Sequence, residues 1–258
     1  GAEALLDKGH GVTNLFSLTG GVALQLGTVF WPQLQSAGLL SAKGRCMTWD
    51  QSADGYCMGD GCGFVVLKRL TEMQDGQQVL TDGEAICGQL AACKMNSNGV
   101  NATMGTPSGP AEQELVAETI RSGGLSSLNI EAVECHGQAA YMPDAIEVNA
   151  LLRVLRREDV QEPKPLMLTS VKSVMGHGNE CSGIISLQRA LLSNVWGVTL
   201  PNLHLWQVNP YIEPETGASF TSDCCEFPLT ASYTGVTSRG FTGTNVHAIS
   251  YGEVNESR

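Results

Sequence analysis

Residues 166–177 read Leu-Met-Leu-Thr-Ser-Val-Lys-Ser-Val-Met-Gly-His, and much of the fold can be predicted outward from this stretch. The apolar run Leu166–Val171 is typical of a buried strand, and a turn of small residues follows it. That turn carries Lys172 and, five residues later, His177. Since ligands of layered α/β proteins bind beyond the ends of strands, we expect both side chains to lie at a functional site.

Two further segments have the same character. His136 stands in Val-Glu-Cys-His-Gly, directly after a second apolar run, and residues 240–245 read Gly-Phe-Thr-Gly-Thr-Asn before a third. Glycine lets a turn pass close to a ligand. Two histidines and a lysine at strand ends, beside such a turn, predict a site for carbon–carbon bond chemistry rather than a scaffold.

The composition excludes some classes of protein and favours others. The chain has 258 residues with 42% hydrophobic side chains, enough for one large globular domain. A net charge of −11 argues against a general nucleic-acid binder, which needs a positive surface. Nine cysteines without paired C-x-x-C spacing favour a reducing compartment, either the cytoplasm or a plastid. No run of eighteen apolar residues is present, so no membrane span is expected.

Strand-like and helix-like segments alternate along the chain, which predicts an α/β layered fold in a single domain. The expected strands are Val12–Leu18, Cys62–Leu67, Ala85–Met95, Ile130–Cys135, Leu166–Val171 and an antiparallel hairpin around Val236 and Val246–Tyr251. The expected helices are Thr28–Ala37, Ala111–Ser122, Ala145–Arg157 with Asp144 as its N-cap, and Ser182–Ser193.

Several motifs together carry a family resemblance. Residues 37–46 resemble A-G-M-L-S-P-D-G-R-C, residues 52–56 read S-A-D-G-Y, and residues 59–63 resemble G-E-G-C-G. The segments around His136 and His177 resemble H-G-T-G-T and S-V-K-S-N-I-G-H. In this order and spacing they are similar to the beta-ketoacyl synthase (ketosynthase) domains of type I polyketide and fatty-acid synthases, in the thiolase-like superfamily.

The resemblance implies a fold: a thiolase-like α/β/α/β/α sandwich with mixed sheets. None of the nine cysteines stands in the T-A-C-S-S-like context of the family's nucleophile, which we expect just before Gly1. We therefore expect residues 1–258 to be one ketosynthase domain lacking its N-terminal part. Residues 1 to about 70 then end the N-terminal half, and about 71 to 258 form the C-terminal half. Such a piece is not expected to condense substrates by itself.

The resemblance also implies an activity, a decarboxylative Claisen condensation of an acyl thioester with a malonyl-carrier protein. His136, His177 and Lys172 match the catalytic positions, and Asp144 and Glu147 match supporting acidic residues. The substrate and acyl pocket is expected to contain Arg239, Gly240, Phe241, Gly243, Thr244 and Asn245. No metal and no bound cofactor is implied, since the phosphopantetheine arm of an acyl carrier protein delivers the substrates. A homodimer is expected.

Several positions depart from the family pattern. Gln138-Ala139-Ala140 replaces T-G-T behind His136, and Gly178-Asn179-Glu180 replaces T-E-A behind His177. Arg239 stands where many relatives have a phenylalanine that gates the pocket, so it is expected to alter access or polarity. These changes leave open a divergent condensing enzyme, a decarboxylase-only form, or a catalytically silent interaction module.

Other interpretations of the same residues are weaker. Glycines 59–63 lack the Lys-Ser/Thr of a nucleotide loop, and His177 with Cys181 lacks a second pair of metal ligands. A biosynthetic thiolase pairs one histidine with a second cysteine, whereas the second matched position here is His177. The cluster Arg153, Arg156 and Arg157 is expected either on a solvated helix face or at the contact with an acidic carrier protein.

Overall fold

The computed structural model describes residues 16–80, 86–101, 105–156, 164–213 and 217–255. Its strands are β1 (Phe16–Ala23), β2 (Gly61–Lys68), β3 (Thr71–Gln74), β4 (Gln77–Leu80), β5 (Gln89–Ser97), β6 (Ile130–Glu134), β7 (Leu166–Thr169), β8 (Val198–Thr199), β9 (Ala218–Phe220), β10 (Cys225–Glu226), β11 (Ala231–Arg239) and β12 (Thr244–Glu253). Its helices are α1 (Phe30–Ser36), α2 (Gly109–Ser122), α3 (Tyr141–Leu155), α4 (Lys172–Met175) and α5 (Ser182–Trp196).

A six-stranded mixed sheet is the centre of the fold, with the order β5-β12-β11-β6-β7-β9. The strands from β11 to β9 are parallel to their neighbours, whereas β5, β12 and β11 pair antiparallel. The predicted hairpin is therefore confirmed as β11–β12, and the predicted α/β class is confirmed by the sheet and its helices. The parallel section brings the carboxyl ends of β6, β7 and β11 to one edge.

Helices α2 and α3 pack against each other, and α2 also packs against β5 and β12. Buried apolar side chains join this layer to the sheet, among them Ile130, Val133 and Leu168 from the strands and Leu151 and Leu155 from α3. Because β6 and β7 are short parallel strands, their sequences are almost continuously apolar. The core therefore holds β6 and β7 rigidly, directly beneath the segments that carry the histidines.

Helix α5 lies between the six-stranded sheet and a second, two-stranded sheet made by β1 and β2. Its approach to β2 is close, since a Cβ atom at Gly61 would come within 2.6 Å of Ile185 Cδ1. The order of layers is thus two-stranded sheet, α5, six-stranded sheet, then α2 with α3. Among the residues that the structure describes, these four layers match four of the five expected for a thiolase-like sandwich.

Strand β2 differs from its prediction as a buried strand. Its side chains alternate between α5 and the outer face, and the outer face it shares with β1 is apolar and exposed. Phe16 and Leu18 of β1 are each 63% exposed, and Val66 of β2 is 66% exposed. Apolar runs alone do not say which side of a sheet is covered, because strand burial depends on neighbours that are distant in sequence.

Other boundaries also differ. Strand β1 ends at Ala23 rather than Leu18, while residues 12–15 lie outside the described part of the chain. Strand β5 begins at Gln89, and the β3–β4 hairpin was not predicted. Helix α1 begins at Phe30 and receives no side-chain cap, so the prediction that Thr28 caps it is wrong.

Within the described ranges, no helix combines the length and the apolar character that crossing a bilayer requires.

The buried side chain of Asn194 ties α5 to the sheet. Its Oδ1 accepts hydrogen bonds from Thr234 Oγ1 at 2.6 Å and Ser232 Oγ at 3.0 Å, and its Nδ2 donates to Ser250 Oγ at 3.3 Å. Both strands of the β11–β12 hairpin are thereby joined to one helix position. Since all four side chains are buried, this network is stabilising only while every member keeps a partner.

We predict that Asn194→Ala lowers the free energy of unfolding by about 1–3 kcal/mol, because it leaves buried hydroxyl groups without their partner. Urea unfolding followed by circular dichroism measures the change. The control is Ser193→Ala, the neighbouring position on α5, which is only partly buried. A loss for Asn194→Ala no greater than that of the control would contradict the proposed role of the network.

Candidate active site

The site lies where three parallel strands end. His136 follows β6, Lys172 and His177 flank α4 after β7, and Arg239 is the last residue of β11. Because β6 has β7 and β11 as its neighbours, these four side chains reach the same edge of the sheet although up to 103 positions separate them along the chain. This is the edge at which layered α/β folds place their ligands.

The structure brings the two predicted histidines together. The ring centroids of His136 and His177 are 5.4 Å apart, and the rings are inclined at 80°. The Tyr56 ring packs against His177 with a centroid distance of 4.7 Å. Both imidazoles are largely buried, with 2% exposure for His136 and 8% for His177.

Backbone hydrogen bonds determine which nitrogen of each ring carries the proton. The Arg239 N–H donates to His136 Nδ1 at 3.2 Å, and the Asn179 N–H donates to His177 Nδ1 at 3.0 Å. A nitrogen that accepts an N–H bond is unprotonated, so a neutral ring holds its proton on Nε2. Each histidine is therefore arranged as an Nε2–H donor.

The surroundings keep both rings neutral. Burial lowers the pKa of His136 well below the usual 6.5, and the positive charges of Lys172 and Arg239 lower it further. Burial and then Lys172 lower the pKa of His177 in the same way. A low dielectric and nearby cations both disfavour imidazolium. At neutral pH the site thus offers two uncharged N–H donors.

Lys172, predicted as catalytic, lies behind His136. Its Nζ donates to the His136 carbonyl oxygen at 2.6 Å, and the residue is only 2% exposed. Burial lowers its pKa, while Glu134 and Glu147 oppose that change. This ammonium group therefore acts on the cavity through the backbone and the charge that it places near the two imidazoles.

Glu147, predicted as a supporting residue, holds the turn of His136. Its Oε1 accepts the His136 N–H at 2.7 Å, and its Oε2 accepts the Gly137 N–H at 2.9 Å. The same carboxylate forms an ion pair with Arg239 at 3.2 Å. It is fully buried, and these three partners compensate its loss of water.

Asp144 does not have the predicted role of a helix N-cap. Helix α3 begins at Tyr141, three residues earlier, so Asp144 lies within its first turn. There its Oδ2 accepts the Trp49 N–H at 3.3 Å, and its Oδ1 has no hydrogen-bond partner among the described residues. Burial, reinforced by the negative charge of Glu147, raises its pKa to about 7. Pro143 and the turn before it let the helix start earlier than the capping pattern indicated.

Arg239 lines the cavity, but its guanidinium is not free to contact a ligand. It forms ion pairs with Glu112 at 3.0 Å and with Glu147 at 3.2 Å, and it also donates to the Pro143 carbonyl at 3.4 Å. Only 7% of its side chain is exposed. The change from the family's phenylalanine therefore adds an ion-paired brace between β11 and helices α2 and α3.

The glycine turn between β11 and β12 forms one rim. Gly240, Phe241, Gly243 and Asn245 line the cavity, whereas Thr244 lines a neighbouring one. Phe241 is 62% exposed at the rim. The Gly240 and Gly243 N–H groups are bonded within the turn, to the Thr244 and Gly240 carbonyls. The described hydrogen bonds therefore do not point these two donors at a ligand.

Two glycines beside the histidines are required by the backbone. Gly176 has φ +80°, and a Cβ atom there would lie 3.0 Å from the Cys57 carbonyl oxygen. Gly137 has φ +41°, and its Cβ would lie 2.8 Å from both Ser170 Oγ and Thr48 Cγ2. Ala139, at the position of the family's second glycine, adopts φ +61° while fully buried. The altered turn thus keeps a left-handed conformation with a residue that disfavours it.

The cavity itself has a volume of about 320 Å³. Its lining residues combine the two imidazoles with polar and apolar groups: Leu39, Tyr56, Asn98, Gly105, Pro107, His136, Gln138, Pro143, His177, Asn179, Glu180, Arg239, Gly240, Phe241, Gly243 and Asn245. No cysteine lines it within the described ranges. This enclosed volume suits a small acyl or thioester group better than a macromolecule.

Sequence reasoning missed several residues that organise the site. Glu134 accepts hydrogen bonds from Val171 N–H at 2.6 Å and Thr169 Oγ1 at 2.7 Å, which joins β6 to the segment before α4. Arg189 of α5 lies 3.4 Å from the same carboxylate. A lone glutamate in the apolar run Ile-Glu-Ala-Val-Glu was the available signal, since a buried acid needs partners.

The predicted arginine cluster is wrong for Arg156. Its guanidinium is buried and donates to the carbonyl oxygens of Ile130, Leu155 and Lys164. Arg153 is exposed, and Arg157 lies outside the described residues. A surface for a carrier protein that depends on all three arginines is therefore excluded.

Comparisons with known proteins agree with this geometry. Two models of one family match, "Beta-ketoacyl synthase, N-terminal domain" over residues 16–73 and "Beta-ketoacyl synthase, C-terminal domain" over residues 87–206. Erythronolide synthase EryA3 of Saccharopolyspora erythraea is 32% identical over 90% of this chain and 7% of that protein. One phenolphthiocerol/phthiocerol polyketide synthase protein of Mycobacterium tuberculosis is 34% identical over 82% of this chain and 10% of its own length.

Solved structures show the same fold. The ketosynthase from module 6 of the bacillaene synthase of Bacillus subtilis superposes with a TM-score of 0.86 at 26% identity, covering 98% of this chain and 44% of its own. An oxazolomycin ketosynthase domain from Streptomyces albus gives 0.84 at 24% identity, covering 94% and 42%. The chain thus spans less than half of these ketosynthases and about a tenth of the curated synthases. The two family models together match more than half of the chain, which belongs to the beta-ketoacyl synthase family.

Proposed function

We propose that this chain provides the decarboxylation site of a ketosynthase, an acyltransferase that condenses an acyl thioester with a malonyl thioester. The observation that carries this proposal is the pair of buried, neutral imidazoles whose rings lie 5.4 Å apart at one cavity. Family membership and the polyketide synthase relatives support it.

The chemistry requires such a pair. When a malonyl thioester loses carbon dioxide, the bond between Cα and the carboxylate breaks and its electron pair moves toward the thioester carbonyl. The resulting enolate concentrates negative charge on one oxygen. Two N–H donors that converge on that oxygen stabilise the transition state more than the ground state. Neutral donors in a buried cavity need little reorganisation as the charge develops.

The condensation then uses the enolate carbon as nucleophile. It attacks the carbonyl carbon of the acyl thioester, a carbon–carbon bond forms, and the thiolate that held the acyl group leaves. An acyl-carrying cysteine needs an accessible, low-pKa thiol. Burial raises the pKa of Cys46 to about 12 and that of Cys135 well above its usual value, so neither suits this role. The acyl cysteine expected before Gly1 stays a prediction.

The partners follow from the substrates. An acyl carrier protein presents the malonyl group on its phosphopantetheine arm, and no other cofactor enters the reaction. Homodimer formation and the compartment stay predictions. Nine free thiols are consistent with a reducing compartment such as the cytoplasm or a plastid, including Cys46 and Cys57, whose sulfur atoms lie 3.7 Å apart without a bridge.

We predict that His136→Ala and His177→Ala each slow carbon dioxide release from a malonyl-carrier protein by about 10²–10³-fold, because each removes one donor to the enolate oxygen. Release of labelled carbon dioxide under single-turnover conditions measures the effect. His204→Asn is the matched control: it changes a histidine outside the cavity lining, and asparagine tolerates its φ of +65°. Unchanged rates in both cavity variants would remove the assigned roles.

A second prediction concerns the protonation of the two rings. In ¹⁵N-labelled protein, neither ring should titrate between about pH 6 and 8, since burial and Lys172 hold both pKa values below the usual 6.5. Lys172→Met removes the charge and should raise both pKa values, so that the imidazolium signals appear at higher pH than in the wild-type protein.

The control for this titration is Lys164→Met, which removes an exposed lysine of the same charge. Its histidine titrations should match those of the wild-type protein. Rings that already titrate near pH 6.5 in the wild-type protein, or that fail to shift in Lys172→Met, are incompatible with the charge arrangement described.

A further inference from the structure

Gln138 occupies one of the two donors of the site. Its side-chain Oε1 lies 3.1 Å from His136 Nε2, and the residue lines the cavity beside His177. Gln138 stands two positions after His136, at one of the positions that depart from the family pattern.

The direction of this hydrogen bond is determined by the opposite side of the ring. Because the Arg239 N–H donates to His136 Nδ1, the proton of the neutral ring is on Nε2. Nε2–H can donate only to an acceptor, so the carboxamide must turn its oxygen, not its nitrogen, toward the ring. The single N–H of His136 is therefore already used when the cavity holds no ligand.

The two histidines are thus unequal. The Asn179 N–H binds Nδ1 of His177, and the hydrogen bonds of the described residues give Nε2 of that ring no acceptor. His177 has a donor ready for a ligand oxygen, whereas the carbonyl of Gln138 stands where such an oxygen has to approach His136.

We propose that the Gln138 carboxamide is an internal acceptor that the thioester carbonyl replaces at His136, so that Gln138 sets the affinity of the site for its substrate. This inference rests on the proposed decarboxylation function. It makes Gln138 a specificity-determining residue, since only a ligand whose oxygen binds the N–H better than a neutral amide displaces it.

The exchange is physically reasonable. Gln138 is only partly buried, and its side chain has rotatable bonds that can carry the amide away from the ring. A bond between two neutral groups is weak in net terms, whereas an enolate oxygen forms a charge-assisted bond that is roughly twice as strong. Displacement occurs as the ligand binds, before the charge develops. Gln138 therefore weakens binding and leaves the chemical step unchanged.

The test compares wild-type protein with Gln138→Ala and Gln138→Met in decarboxylation of a malonyl-carrier protein. Methionine keeps the length of glutamine but lacks the amide oxygen. Both variants should lower KM by about threefold to tenfold, the range expected when one neutral hydrogen bond no longer competes, with kcat changed less than twofold. His204→Asn should leave both constants unchanged.

Three results would overturn the inference. An unchanged KM in Gln138→Ala means that the amide does not compete with substrate. A lower KM in Gln138→Ala but not in Gln138→Met assigns the effect to side-chain bulk. A fall in kcat of tenfold or more makes Gln138 a donor that assists the reaction.

A second measurement separates this inference from the proposed function. Without ligand, the Nε2–H proton of His136 should exchange with water at least about tenfold faster in both Gln138 variants than in wild-type protein, because its acceptor is gone. Equal exchange rates exclude the internal acceptor. If wild-type protein fails to release carbon dioxide while the exchange rates differ, the proposed function is wrong and the hydrogen bond to Gln138 stands.

Discussion

The carboxylate of Glu147 is the point on which the geometry of the site depends. It accepts the backbone N–H groups of His136 and Gly137, and it forms an ion pair with Arg239, whose own N–H binds the His136 ring. One buried acid on α3 therefore holds both the turn and, through Arg239, the orientation of the imidazole. A buried charge is tolerable only with such partners, so the arrangement is either complete or strongly unfavourable.

This constraint explains how cations can surround two histidines that remain donors. Lys172 and Arg239 are balanced by acids on the far side from the cavity, with Glu134 and Glu147 near the lysine and Glu112 and Glu147 near the arginine. The positive charges nevertheless lower the pKa of His136. The site thus gains its electrostatic character from groups that do not touch a ligand, and the rings stay neutral with their Nε2–H groups facing the cavity.

The departures from the family pattern gather in one place. Gln138 bonds to the ring of His136, and Ala139 beside it takes a left-handed conformation that costs about 1–2 kcal/mol for a residue with a Cβ atom. Arg239 adds an ion pair to the same turn. Strain and replaced side chains beside an intact pair of imidazoles are what a modified functional site shows, since the core elements around it follow ordinary packing rules.

Local sequence patterns were sufficient to predict the α/β class, the β11–β12 hairpin and most of the helices, because hydrophobic periodicity and turn residues act over a few positions. They failed at Asp144, where a good capping residue lies inside a helix that starts earlier, and at β2, where one apolar face is exposed.

The sequence by itself determined which residues could do the chemistry, since histidine, lysine and glutamate side chains at strand ends are readable from their motifs. Only the tertiary structure decided that the His136 and His177 rings meet, that the Arg239 side chain turns away from the cavity into an ion pair, and that Gln138 binds the His136 ring. The reason is that these contacts follow from the parallel pairing of β6, β7 and β11, and that pairing brings together residues about a hundred positions apart, a distance over which no local pattern carries information.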